Sequence, residues 1–578
     1  MNYILKNNYL AVGLIALIAG LVFIPLIGNC PLFDWDEINF AECAREMVVS
    51  GNYSQVQLNY LPFWEKPPFF IWLQAGSMHL FGINEFAARF PNAICSIISF
   101  ITLFHIGKKF HSSRFGLLWC LIYAGTILPH LFFKSGIIDP WFNLFIFLSV
   151  YNVVLFINNP GGKKEIFNSL LAGLFLGLAV LTKGPAALAI VSLTILVALV
   201  WTKNIKLLTT RSFILFAITT LLVSLSWFIF EWLRGNGKVI MEFIHYNVRL
   251  FETGDAGHDG PFFYHAVVLL LGCFPASFLF IAGYRQTEGL TPFQLLFRKF
   301  FICLFWVVLI LFSIVKTKIV HYSSLCYFPL TFIATLATEQ FFKNLSFSKY
   351  LKILYWVITT AITLALVSIG FIDKFKHILI NGNLIDDEFA LGNLKAEVHW
   401  SGMESTLGIL FLAASILIYL AFHQKKIRFF YYGYSLSLLF IYLSINILVP
   451  KVEQYTQQAA IDFYKACSRH SCYVETHSFK SYAYLFYSNR MPGDYSNADQ
   501  LQSIEDYLTK AEKLGHSRFS SFASANYEWM KFGKIDRPAY IVAKTKDEKE
   551  LFRNFSLKKL YDKNGFSFFV RMPGDPAK

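Results

Sequence analysis

Apolar runs about as long as a bilayer is thick recur along this chain, and that recurrence limits its fold more than any other feature. They lie near 9–28, 87–107, 114–132, 139–157, 166–182, 185–202, 211–231, 262–284, 297–315, 321–340, 350–371, 405–423 and 428–449, thirteen in all. A backbone inside lipid has no water to bond to, so each run is read as a helix. Composition agrees, with 55% hydrophobic residues, 15% charged residues and a mean hydropathy of +0.48. The first run lacks a small-x-small cleavage site and is read as a retained helix, not a signal peptide. The expected fold class is a polytopic α-helical membrane protein of about thirteen transmembrane helices, residues 1–449, followed by a C-terminal exoplasmic α/β domain, residues 450–578.

The short connections sort by charge. Lys108, Lys109 and Arg114, then Lys163 and Lys164, then Lys203, Lys206 and Arg211, then Arg285, Arg298 and Lys299, then Lys343 and Lys349, then Lys425, Lys426 and Arg428 make every second connection basic. By the positive-inside rule these face the cytoplasm, which puts the N-terminus inside and residues 450–578 outside a plasma (inner) membrane. Topology thus accounts for much of the formal charge of +14, and nucleic acid is not an expected partner.

The opposite connections carry the chemistry. In the first of them, 29–86, the stretch PLFDWDEINF sets three carboxylates where the chain leaves the lipid. Asp36 to Ser50 reads as a helix along the membrane surface, with Phe40, Ala41, Ala44, Met47 and Val48 on one face, Asn39, Glu42 and Glu46 on the other, and Gly51 as its stop. N-capping is the alternative role for Asp34 and Asp36, and it does not exclude catalysis. Phe63-Trp-Glu-Lys-Pro-Pro-Phe-Phe follows, its prolines fixing the start of a second interfacial helix; Lys66 there is either a functional cation or a snorkelling anchor. Beyond it come Ile138-Asp-Pro, Leu181-Thr-Lys-Gly-Pro, Gly260-Pro-Phe-Phe-Tyr and Lys316-Thr-Lys-Ile-Val-His-Tyr. Lysines on this side run against the orientation rule and call for a reason.

In order and spacing these motifs resemble the aminoarabinose transferase branch of the integral-membrane glycosyltransferases, relatives of the protein O-mannosyltransferases. The resemblance covers residues 10–335 by motif and the remainder by architecture. It implies a C-type fold with two juxtamembrane helices in loop 29–86, an active site at the outer membrane surface and a sugar donor carried on a polyprenyl phosphate of the undecaprenyl type. By motif, Asp36 is the acid at the reaction centre with Glu37 beside it as a further catalytic residue, Asp139 a second acid lining the site, and Lys66, Arg249 and Tyr322 the groups around the lipid phosphate. Asn39 departs from the arginine usual after Asp-Glu-x, which leaves the acceptor open among lipid A, other glycolipids and proteins.

Elementary chemistry runs alongside the resemblance. A phosphate leaving an anomeric carbon is already a stable anion, so cations rather than acids assist it; Lys66, Lys183, Arg249, Lys316 and Lys318 are the candidates. A carboxylate takes the acceptor's proton or holds its hydroxyl. A divalent cation is left open, with His258, Asp259, His265 and His321 as the residues to consider and no ligand motif to support it. Cys30 with Cys43, and Cys467 with Cys472, could pair on the exoplasmic side, although spacing alone does not pair them. In the tail, Ala539-Tyr-Ile-Val-Ala reads as a strand, Leu501 to Leu514 as a helix, and Asp562-Lys-Asn-Gly as a hairpin turn. A transporter or lipid flippase is the alternative, but it would place charges at mid-membrane and show internal repeats, whereas these charges collect at span ends. A non-catalytic partner of a glycan machine would keep the spans without keeping the acids and lysines together.

Overall fold

The computed structural model describes residues 7–252, 260–342, 347–382, 385–495, 497–514, 518–553 and 557–575, with a few side chains next to these breaks, Arg249 among them, outside the description. Among the described residues, 8 helices are long and apolar enough to cross a membrane, or 10 if each of two sharply bent pairs counts as one span. The three remaining expected runs form shorter helices, Asn8–Phe23, Ala186–Trp201 and Tyr327–Phe341, so a count of thirteen crossings is not established. The bends have local causes. Ser113–Ala124 and Ile127–Phe133 meet at 80° across Gly125, and Tyr264–Gly272 meets Ala276–Gly283 at 110° where Pro275 cannot continue a helix.

Helices in lipid gain little from burying apolar surface and associate by close packing. Gly107 and Gly116 face one another so tightly that a Cβ on Gly107 would lie 2.6 Å from the Gly116 Cα. Elsewhere phenylalanine rings interleave between helices, with Phe297 against Phe332 at 4.9 Å and Phe147 against Phe328 at 4.4 Å between centroids.

The last long helix, Ile427–Thr456, runs through Pro450, so the change in composition there falls inside a helix rather than at its end. Helix Gln458–Cys467 then leads into a four-stranded sheet in the order Tyr473–His477, Ala539–Lys544, Phe566–Arg571, Lys558–Lys563. The first pair is parallel, with Tyr473 opposite Ala539; the others are antiparallel, and the expected hairpin closes with Lys563 opposite Phe566. One face packs on Gln458–Cys467, where Phe463 and Phe568 lie 4.5 Å apart; the other takes Trp529 against Tyr473 at 5.0 Å. The expected tail helix is present as Ala498–Lys513.

Both juxtamembrane helices of the first loop form, as Asp36–Ser50 and Phe69–Phe81. The first ends on Gly51 in the left-handed conformation (φ 69°), which glycine adopts without a Cβ penalty. Its expected polar face, Asn39, Glu42 and Glu46, is however not in water: all three are buried, as are Glu37 and Arg45. The C-terminal region covers it. Ile38, Ala41 and Ala44 share one apolar cluster with Phe463, Val474 and Phe568, and Arg45 donates to the Arg490 carbonyl at 2.8 Å. All nine cysteines are free thiols, so neither considered disulfide is formed.

Candidate active site

Asp36 is the first residue of its helix, behind Trp35, and neither it nor Asp34 caps that helix. Glu37 takes the neighbouring role instead, accepting the Phe33 amide at 2.8 Å and the Gly136 amide. Its carboxylate is also locked to Arg89 at 2.8 and 2.7 Å, and Arg89 donates in turn to the carbonyls of Ile27, Cys30 and Pro31. Gly136 keeps this approach close, since a Cβ would stand 3.1 Å from both Glu37 Cγ and the Ala88 carbonyl oxygen. These contacts rivet the segment leaving the first helix and aim Asp36 at a cavity.

That cavity, about 450 Å³, is lined by Asp34, Asp36, Lys66, Lys183, His321 and Tyr322, with Tyr246, Glu65 and Lys480 along one side. Lys183 is the last residue of helix Lys163–Lys183, which stops because Gly184 takes a backbone conformation (φ 91°) that side chains disfavour. Its ammonium bonds Asp139 Oδ1 at 2.6 Å and lies 5.2 Å from the Tyr322 ring. Lys66 sits 5.1 Å over the Tyr246 ring. Asp139, buried at the start of helix Asp139–Asn158 beside Pro140, is not in the cavity wall as expected but directly behind it, because Lys183 and His321 stand in front.

His321 is what the sequence hid. Considered only as a metal ligand, it places Nε2 3.2 Å from Asp36 Oδ2 and 3.8 Å from Asp139 Oδ2, between the two acids. Its short 3-10 turn, Val320–Cys326, is fixed to the Asp139 helix where Asn143 donates to Ser324 Oγ at 2.7 Å. Burial pushes the Asp36 carboxyl up, but the contact with His321 and the charges of His321, Lys66 and Lys183 outweigh it and bring the group down to about 2. Asp34 goes the other way, to about 6, since burial exceeds the help it gets from Ser481 and the Tyr482 amide.

Other expectations do not converge here. Lys318 turns from the cavity and donates to the carbonyls of Phe312, Ser313 and Val315, closing the C-terminus of helix Pro292–Ile314. Lys316 is exposed and lines no part of the cavity. Arg249 falls in helix Gly237–Glu252 with its side chain outside the description, and His258 and Asp259 lie outside the described residues. His265 is buried against Tyr264 and Phe312. Among the described residues no three His, Cys, Asp or Glu side chains group as a metal's ligands. Lys480 was missed altogether: it comes from the sheet-bearing region, and no local pattern ties it to the first loop. Lys480, Glu65 and Tyr246 also border a second cavity of about 610 Å³.

Residues 65–230 match the family described as dolichyl-phosphate-mannose-protein mannosyltransferase. An undecaprenyl phosphate-alpha-4-amino-4-deoxy-L-arabinose arabinosyl transferase of Photorhabdus laumondii is 28% identical over 331 residues, 56% of this chain and 59% of that protein. Its namesake in Shewanella sediminis is 28% identical over 342 residues, 57% and 61% of the two chains. The alignments thus span about three-fifths of the relatives' length. Among solved structures, ArnT from Cupriavidus metallidurans superposes in its apo state with a TM-score of 0.73 at 17% identity, covering 98% of this chain and 99% of that one. The same protein bound to undecaprenyl phosphate gives 0.70. Over nearly its whole length, therefore, the chain has the C-type glycosyltransferase fold of ArnT.

Proposed function

We propose that this protein is a membrane glycosyltransferase that moves a sugar from a polyprenyl-phosphate donor of the undecaprenyl type to an acceptor on the outer side of the membrane. The observation that carries this reading is the position of Asp36: a carboxylate held ionised by His321, Lys66 and Lys183 in a cavity just beyond the first apolar helix. The names of the relatives, and the ligand in the second ArnT structure, support the donor class.

The step is a displacement. The acceptor oxygen bonds the anomeric carbon, the carbon–oxygen bond to phosphate breaks with its electron pair, and the polyprenyl phosphate leaves as an anion. Lys66 and Lys183 lie where preorganised positive charge meets that anion, with the Tyr322 hydroxyl beside them. Asp36 accepts a hydrogen bond from the acceptor group. Because its acidity in the free protein is so high, it takes the proton late, once the oxygen has become positive by bonding carbon. Asp139 holds Lys183 and faces His321. Glu37, saturated by Arg89 and two backbone amides, supports the site and does not react. The basic connections argue for a cytoplasmic N-terminus, with the cavity and the C-terminal region outside.

The test is purified protein given radiolabelled undecaprenyl-phosphate sugar and a membrane extract. Label should pass to an extract component as polyprenyl phosphate is released. If label crosses sealed vesicles with its sugar–phosphate bond intact, the transporter reading replaces this one.

A further inference from the structure

The second cavity is walled by three distant parts of the chain: residues 58–65 of the first loop, helix Gly237–Glu252, and the C-terminal region around 475–485 and 522–527. It adjoins the catalytic cavity through the shared residues Glu65, Tyr246 and Lys480. At 610 Å³ it has room for more than one sugar ring.

Its lining has two features. Aromatic rings supply much of the wall: Trp64, Tyr246, Phe479, Tyr482 and Tyr527. Among the described residues its charged groups are Glu65 and Glu242 against Lys480, with His245 beside them and Glu475 buried and pushed toward its neutral form by that burial. Lys480 is already engaged, its ammonium 4.7 Å from the Trp35 ring and 5.5 Å from the Tyr482 ring. Two carboxylates against one ammonium leave this wall with an excess of negative charge, which disfavours phosphate groups. A pyranose fits it from both sides: its C–H faces lie against aromatic rings, and its rim of hydroxyls finds carboxylate acceptors and phenol donors.

We propose that this vestibule binds an uncharged saccharide and delivers one of its hydroxyls past Glu65 and Tyr246 to Asp36, so that the acceptor atom is a sugar hydroxyl oxygen and not a phosphate oxygen. The inference rests on the transferase reading. In the step, that oxygen bonds the anomeric carbon of the donor, the bond to the donor phosphate breaks with its electron pair, and the hydroxyl proton passes to Asp36.

The experiment uses the full chain in detergent on an array of neutral hexose and heptose oligosaccharides printed beside their phosphorylated counterparts and a set of peptides, with undecaprenyl phosphate binding measured in parallel. Neutral glycans should be retained, and their phosphorylated counterparts should bind at least about tenfold more weakly. Trp64→Ala should lower glycan retention by about tenfold while undecaprenyl phosphate still binds, and Glu242→Lys should move the preference toward phosphorylated members. Stronger retention of phosphorylated glycans, retention of peptides alone, or no glycan binding overturns the inference. Should undecaprenyl phosphate binding persist through such a result, only the vestibule assignment falls; should that binding also be absent, the transferase reading falls with it.

Discussion

Asp34 and Asp36 stand two residues apart and are driven in opposite directions. Asp36, at about 2, is ionised throughout the range in which the protein is handled, so its titration should add no acid limb to the kcat/KM profile above about pH 4. Asp36→Asn removes charge and basicity at nearly constant size, and turnover should fall by at least about a hundredfold in the lipid-linked sugar assay. Normal turnover would end its catalytic assignment. Asp34 has its carboxyl raised to about 6, so the folded state holds a proton that the unfolded chain has already lost; because the side chain is exposed, solvent screening keeps the linked stability small. The stability linked to that proton is full below about pH 4 and disappears as pH rises through 6. Asp34→Asn does not titrate; its melting temperature relative to the parent protein should therefore be higher at pH 7 than at pH 4, with much less effect on turnover than Asp36→Asn. An equal difference at both pH values would show that Asp34 is not held protonated.

The helix Asp36–Ser50 shows what an element's own sequence can and cannot reveal. Its two ends were legible from the residues alone, the start from PLFDWDEINF and the stop from Ser50-Gly51. Its environment was not. Period and polarity called for a wet face, but that face holds Arg45 gripping Glu42 at 2.7 and 2.6 Å, with Glu46 accepting the amides of Asn59 and Tyr60 at 2.6 and 2.7 Å. Burial and the charge of Glu42 push the Glu46 carboxyl well above its ordinary range. Arg45→Met strands Glu42 without its counter-charge and should cost about 3–5 kcal/mol, read as a lower melting temperature and poor yield. Arg45→Lys should not restore it, because one ammonium cannot reproduce the two-pronged contact. Retained stability in both variants would mean that water reaches this face after all.

At the scale of the molecule, the apolar runs and the hairpin in the tail were readable because each is a local pattern of about twenty residues or fewer. Whether a run crosses was less so: Asn8–Phe23 and Ala186–Trp201 are shorter than their apolar stretches suggest, and two others are broken by Gly125 and Pro275. Of the candidate cavity, the sequence pointed to Asp36, Lys66, Lys183 and Tyr322, which the fold brings together, while Asp139 stands behind the wall and Glu37 is taken up by Arg89. The site was not legible in His321, whose partners are Asp36 and Asp139, nor in Lys480, because such contacts join residues with no shared periodicity. The orientation has a direct check. In a cysteine-free background, cysteines at positions 55 and 510 should react with an impermeant maleimide added to intact cells, and those at 163 and 425 only after permeabilisation. Labelling of position 163 from outside would invert the topology and move the cavity to the wrong side for an exported acceptor.

The covered helix also sets a sequence of events in time. Arg45 is bonded to the carbonyl of a residue 445 positions later. A ribosome adding about 5–20 residues per second needs roughly 20–90 s to make that stretch. Through nearly all of that interval Glu42, Arg45 and Glu46 lack their lid and Lys480 has not yet been made. A nascent or stalled chain is thus inserted in the membrane before it has a finished active site, and the newborn protein should gain competence only as its last tenth or so is delivered.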